Sequence, residues 1–161
     1  MIVVADTSVI LNLCRVQQEH LLQKLFQRVL IPSQVADEFT RLTKIQKRFS
    51  DLVLPDWIEI LSAPKSFPAE VIQARLDIGE SAAIALYLNQ KADALLIDEK
   101  IGREVAAKLG VHTVGILGIL VDAKNEGFIS SVKALLDRLE NEAGFWISPD
   151  LRLHVLQLTG E

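Results

Sequence analysis

Apolar and polar positions alternate in blocks along this chain, and the blocks read as strands and helices in turn. Ile2-Val3-Val4-Ala5 is an apolar run too short for a helix, stopped by the polar Asp6-Thr7-Ser8, and predicts a buried strand. Leu13, Leu21, Leu22, Leu25, Phe26 and Val29 follow at helical spacing, so residues 8–28 read as one broken helix or two. Val29-Leu30-Ile31, stopped by Pro32, predicts a second strand. Ser33 is placed to N-cap a helix that carries Val35, Phe39 and Leu42 on one stripe. Residues 57–61 predict a third strand, and Pro68 precedes a short helix over 69–76. The run Glu80-Ser81-Ala82-Ala83-Ile84-Ala85-Leu86-Tyr87-Leu88, after Gly79, is apolar nearly all round, which predicts a buried helix. Ala94-Leu95-Leu96-Ile97 is a fourth strand, residues 99–109 a helix closed by Gly110, and residues 111–114 a fifth strand. Helices follow over 117–125 and 130–141, and Ser148-Pro149-Asp150 opens a last one with a capping serine before a proline. Strands separated by mostly apolar helices predict an α/β fold whose parallel sheet is covered on both faces.

Composition narrows this further. At 161 residues the chain is long enough for one domain of about 150 residues, so residues 1–161 are expected to form a single unit with the helices from about 130 packed on it. Half of the residues are hydrophobic, enough for a proper core. The longest apolar run, residues 114–121, falls short of the roughly 20 needed to span a bilayer, so no membrane helix is expected. Met1 leads straight into the first strand with no basic stretch before it, which speaks against a cleaved secretory signal and for a cytoplasmic location. A single cysteine, Cys14, and three histidines rule out an internal disulfide and thiolate zinc sites, so any metal must be held by oxygen. Cys14 reads as a small buried hydrophobe, and His20, His112 and His154 as structural or surface residues. A net charge of -4 argues against broad electrostatic coating of nucleic acid.

No phosphate-binding glycine loop, dinucleotide fingerprint or nucleophile elbow is present. The conspicuous chemistry is in the carboxylates. Asp6 follows the first strand and Asp98 the fourth, which puts both at the C-terminal edge of a parallel sheet, where open α/β folds place ligands. Glu80 shares a helix face with Ala83, Ile84 and Tyr87 and points to the core. At 100° per residue Glu38 lies near the Val35-Phe39-Leu42 stripe while Asp37 faces water. Singly, each acid has a plain explanation: a helix cap for Asp6 or Asp98, a favourable place on a helix dipole for Glu80, an edge position for Glu38. Jointly, several ionised carboxylates on one partly buried rim repel one another at a cost of several kcal/mol unless protons or a cation neutralise them. An all-oxygen donor set suits Mg²⁺ or Mn²⁺, the ions of phosphoryl chemistry.

With Asp6-Thr7-Ser8 after the opening strand, an inward Glu38, Glu80 at a helix start and Asp98 after a strand, the chain resembles the PIN-domain proteins, the fold of VapC-type toxin ribonucleases. Ile78-Gly79-Glu80-Ser81-Ala82-Ala83-Ile84, Leu96-Ile97-Asp98-Glu99 with Arg103, and Val114-Gly115-Ile116-Leu117-Gly118-Ile119-Leu120 look more specifically like a branch of PIN-like predicted nucleic-acid-binding proteins. The resemblance runs nearly end to end. It implies a three-layer α/β/α sandwich around five parallel strands and cleavage of RNA dependent on Mg²⁺ or Mn²⁺. Asp6, Glu38, Glu80 and Asp98 would be the catalytic and metal-holding acids, with a cognate antitoxin protein as a candidate partner. Two positions depart from the family pattern: Glu80 stands where many relatives carry an aspartate, and Leu96 where many of the toxins carry a hydroxyl residue.

For substrate grip, Ser8 and Asn12 are placed to orient Asp6 or a bound water, or else to serve as ordinary first-turn polar groups. Arg41, Lys44, Lys47 and Arg48 form a basic stretch free of acids, suited to phosphate contacts or to a solvated helix end, and Lys100 and Arg103 sit beside Asp98. Val132, Leu135, Leu136 and Leu139 form one apolar face that completes the core or makes the seam of a homodimer, core packing being the expected use. The competing functional class is a PIN-fold module that binds nucleic acid or protein and cuts poorly or not at all. A phosphoacceptor receiver domain is disfavoured because Leu61-Ser62 and Gly115 stand where it needs an aspartate and a lysine. A haloacid-type phosphatase is disfavoured because Ser8 stands where it needs a second aspartate.

Overall fold

A computed structural model describes residues 1–161. Five strands, β1 (Ile2–Ala5), β2 (Arg28–Pro32), β3 (Glu59–Leu61), β4 (Ala94–Leu96) and β5 (Thr113–Val114), form one sheet in the order β3-β2-β1-β4-β5. Every pairing is parallel, with Val4 opposite Leu30 on one side and Leu95 on the other. The central strand is therefore the first in the chain. Nine α-helices surround the sheet: α1 (Thr7–Arg15), α2 (His20–Leu25), α3 (Ser33–Ile45), α4 (Ala69–Ala74), α5 (Ile78–Gln90), α6 (Lys100–Lys108), α7 (Ile116–Asn125), α8 (Val132–Ala143) and α9 (Pro149–Leu158).

Side chains alternate across a strand, and the alternation divides the core. Val3, Ala5, Val29, Ile31, Ala94 and Leu96 face one cluster, shared with α1, α2, α3, α7, α8 and α9. Val4, Leu30 and Leu95 face the other, with Ile97 just past β4 and residues of α4, α5 and α6. Because both faces are covered, the strands carry almost no polar residues and read as plain apolar runs. Val132, Leu135, Leu136 and Leu139 of α8 are buried in the first cluster, so its apolar stripe is used within the chain. Cys14 is buried there as well. No helix is long and apolar enough to cross a membrane.

The observed elements differ from the sequence pattern at their edges. Residues 8–28 resolve into two helices, α1 and α2, and β3 and β5 are shorter than the runs at 57–61 and 111–114. Pro32 closes β2 rather than lying beyond it, and it is also the residue that leads into α3. Ser33 is thus the first helical residue, with its hydroxyl turned to Gln34, and does not act as a cap. Proline lacks an N–H, which costs little at the end of a strand or ahead of a helix, so one residue serves both roles.

Candidate functional site

The sheet ladder brings two of the acids to one rim. The Asp6 N–H donates to the Leu96 carbonyl at 2.9 Å and the Ile97 N–H to the Val114 carbonyl at 3.0 Å, so Asp6 and Asp98 leave neighbouring strands at the same edge. Neither is a plain cap for the helix that follows it. Asp6 precedes α1 but makes no side-chain capping bond, and its one side-chain donor, the Ser8 hydroxyl, is 3.4 Å away. The cap of α6 is Glu99, which accepts from the Gly102 N–H at 2.7 Å. Asp98 reaches across to α7, where Oδ1 accepts from the Ile116 N–H at 3.1 Å, and its Oδ2 is buried with no partner.

Glu38 and Glu80 come from α3 and α5, which pack against each other. Asp37 is exposed and Glu38 turns inward, as helical geometry requires. Glu80 is 7% exposed, despite its charge. Asp77 joins the set from just ahead of α5, where its Oδ1 accepts from the Glu80 N–H at 2.8 Å. Asp77 went unnoticed as a site residue in the sequence; the signal that marks it is the spacing Asp77-x-x-Glu80, the pattern of a helix cap followed by an acid.

Burial and neighbouring charges raise the carboxyls of the rim. Asp6, 4% exposed, has its carboxyl pushed up from 3.8 to about 7, first by burial and then by the charges of Asp77 and Glu38, with the Thr7 N–H and Ser8 working against the rise. Burial also raises Glu38, and Asp77 adds to the effect; the Thr7 hydroxyl and Arg41 oppose it. Glu80 is raised by burial and by Asp77, Asp6 and Glu99. Asp98 is raised to about 6 by burial, against the pull of the Ile116 N–H and Arg103. Asp6, Glu38, Glu80 and Asp77 therefore form one mutually repelling group, whereas Asp98 feels no other carboxylate strongly and keeps company with Arg103.

Glycines make room for three of the acids. A Cβ on Gly79 would lie 2.7 Å from Glu38 Oε2, one on Gly102 3.2 Å from Glu80 Oε2, and one on Gly115 2.6 Å from Asp98 Oδ1. Of the remaining candidates, Ser8 and Asn12 line a groove of about 350 Å³ with Glu38. Arg103 lines a second groove, of about 330 Å³, with Asp98. Arg41 acts on Glu38 through its charge. Lys44 and Lys100 are exposed and form no ion pair with any of these acids.

No three of the acids converge closely enough to enclose a cation by themselves. The donor set nonetheless suits a hard divalent ion. It is all carboxylate oxygen, it includes a buried Asp98 oxygen with no partner, and its glycine cradles leave no room for a side chain. Mg²⁺ commonly uses only one or two carboxylates and keeps several of its waters, so a three-acid cage is not required.

Five parallel strands with buried carboxylates at their C-terminal edge define an α/β protein with an acidic rim site. The chain belongs to the PIN-domain family, whose model matches residues 2–161. That fold is a nuclease-type fold. Neither a curated protein nor a solved structure matches the chain.

Proposed function

We propose that the protein is a metal-dependent ribonuclease that hydrolyses RNA phosphodiesters at this rim. The observation that carries the reading is the gathering of acids with few donors at one sheet edge: Asp6 and Asp98 end neighbouring parallel strands, Asp6 and Glu80 are buried, and Asp98 Oδ2 is buried with no partner. Asp6, Glu38, Glu80 and Asp98 are the acids that would hold Mg²⁺ or Mn²⁺. When bound, such an ion supplies an acidified water and a counter-charge for the phosphodiester.

The chain's own groups do the remainder. Ser8, at 3.4 Å from Asp6 Oδ2, steadies that carboxylate, and Asn12 lines the groove beside Glu38. The Ile116 N–H holds Asp98 through Oδ1 and leaves the buried Oδ2 without a partner. Arg103 lines the Asp98 groove and Arg41 acts on Glu38 through its charge, so these two cations are the ones that would meet substrate phosphates, with the exposed Lys44 and Lys100 as further candidates. A toxin role and a cognate antitoxin are what the family resemblance suggests for it.

A second reading, a module that binds nucleic acid or protein and cuts poorly, is favoured because no three of the acids converge to enclose an ion. RNA cleavage with added Mn²⁺ or Mg²⁺ decides between them. Metal-dependent product that Asp6→Asn and Asp98→Asn each reduce at least about 10²-fold supports the nuclease. RNA binding without turnover supports the module.

A further inference from the structure

The groove that holds Glu38 and the groove that holds Asp98 share one wall, Phe145-Trp146. The wall lies in the short segment between α8 and α9, and both of its ends are fixed. Gly144 closes α8 in the left-handed conformation, at φ +69, and the Phe145 N–H donates to the Leu139 carbonyl at 3.0 Å. Ile147 is buried in the larger core cluster, and Ser148 caps α9 by accepting from the Leu151 N–H at 3.2 Å. On this rigid mount Trp146 is 79% exposed, whereas the other tryptophan, Trp57, packs against the core. Burying an indole is favourable by about 25 cal/mol per Å², so folding alone gives no reason to hold Trp146 in water.

Its neighbours supply a reason. Arg48 lines the groove on one side of the wall and Arg103 the groove on the other. The ion pairs of the chain use Arg28, Lys124, Arg138 and Arg152, so neither Arg48 nor Arg103 is tied to a carboxylate. Each groove also holds an acid, Glu38 or Asp98, on a chain of net charge -4, which draws little affinity from phosphate attraction alone. Stacking does not depend on net charge, since every base has a π-face.

Resting on the ribonuclease reading, we propose that Trp146, backed by Phe145, is the stacking platform for an unpaired base of single-stranded RNA. It holds the nucleotide beside the scissile phosphodiester, with Arg48 and Arg103 taking the phosphates on either side. Paired bases are stacked within their helix and offer no free face, so the platform selects unpaired RNA.

The test measures binding in chelator, where no metal-dependent cleavage occurs, with a labelled oligoadenylate RNA and with the same strand annealed to oligouridylate. Trp146→Ala is expected to weaken binding of the unpaired strand about 5- to 100-fold, the value of one stacked base, and Trp146→Phe to recover most of it. Duplex affinity and Tm stay at wild-type values. Equal affinity of wild type and Trp146→Ala for the unpaired strand overturns the platform. So does a change from dimer to monomer in Trp146→Ala with RNA affinity intact, which would make Trp146 a contact between copies. Turnover separates this inference from the reading beneath it. Cleavage by a protein whose binding ignores Trp146 sinks the platform alone; Trp146-dependent binding with no cleavage under any divalent ion sinks the nuclease and leaves the platform standing.

Discussion

Asp6 and Glu161 are both carboxylates at helix N-termini, and the fold treats them in opposite ways. Glu161 lies at the start of α8, where its oxygens accept from the Ser131 hydroxyl at 2.9 Å, the Val132 N–H at 2.8 Å and the Lys133 N–H at 3.3 Å, with Lys124 Nζ at 3.6 Å. Burial works to raise its carboxyl, but those donors outweigh it and hold the group down at about 2. Asp6 lies at the start of α1 with one long hydroxyl contact from Ser8, and burial first, then the charges of Asp77 and Glu38, push its carboxyl up to about 7 against the pull of the Thr7 N–H. Glu161 has donors enough to outweigh burial; at the rim the donors are fewer, burial wins, and neighbouring acids add to it. A rim arranged in this way is costly until something positive enters it.

The contrast is broken most severely by exchanging its terms. Asp6→Asn is expected to abolish RNA cleavage, by at least about 10²-fold, while leaving the Tm of the metal-free protein equal to wild type or higher, because repulsion is removed. A large fall in Tm from Asp6→Asn would mean that the carboxylate is structural after all.

The next effect is in pH. Asp6 and Asp98 have folded values of about 7 and about 6 against an ordinary 3.8, so between those limits the folded protein binds more protons than the unfolded chain. Stability contributed by these raised groups is fully present below about pH 4 and is lost as pH rises through 6 to 7. Thermal melts in chelator should show it as a fall of about 4 kcal/mol, or about 8–16 °C, between about pH 5 and pH 8. Millimolar Mg²⁺ or Mn²⁺ should restore most of the loss at the alkaline end. Glu161 has the reverse sign: its contribution is present above about pH 4.5 and lost as pH falls toward 2, outside that window.

Gly115→Ala sharpens the contrast at a smaller scale. Its backbone, at φ -94 and ψ 176, accepts alanine, but the new Cβ would stand 2.6 Å from Asp98 Oδ1 and displace that side chain. Cleavage should fall about 10-fold with Tm changed by about 2 °C or less, since a carboxylate moved by a fraction of an ångström is felt more by chemistry than by folding. The smallest effect belongs to Glu161→Ala. Losing the donor-rich cap at α8 should lower Tm by about 2–4 °C and leave cleavage and RNA affinity unchanged.

Much of this was legible along the chain. The strand runs at residues 2–5, 29–31 and 94–97 are apolar because both faces of the sheet are covered there, whereas the edge strand within 57–61 carries Glu59 and an exposed Ile60, and β5 lies within the looser run at 111–114. Glu38 could be turned inward, and Asp37 outward, from the angle between consecutive helical residues. The role of Ser33 was misjudged because its residue type favours capping, whereas Pro32 ends β2 so close to α3 that it takes the position first. Asp77 was hidden because a helix cap and a site acid look alike in sequence until the partners across the rim are known.

The order of residues by itself determined what local geometry can express. It marked which runs are strands and which faces of helices are apolar, and it placed Asp6 and Asp98 just past the ends of buried strands. Those properties depend on neighbours within a turn or a strand. The tertiary structure alone decided that Asp77 joins Asp6, Glu38 and Glu80, that Asp98 keeps one buried oxygen without a partner, and that Trp146 lines both grooves. Each of these depends on distance between remote segments, which strand order and helix packing set and no local period encodes.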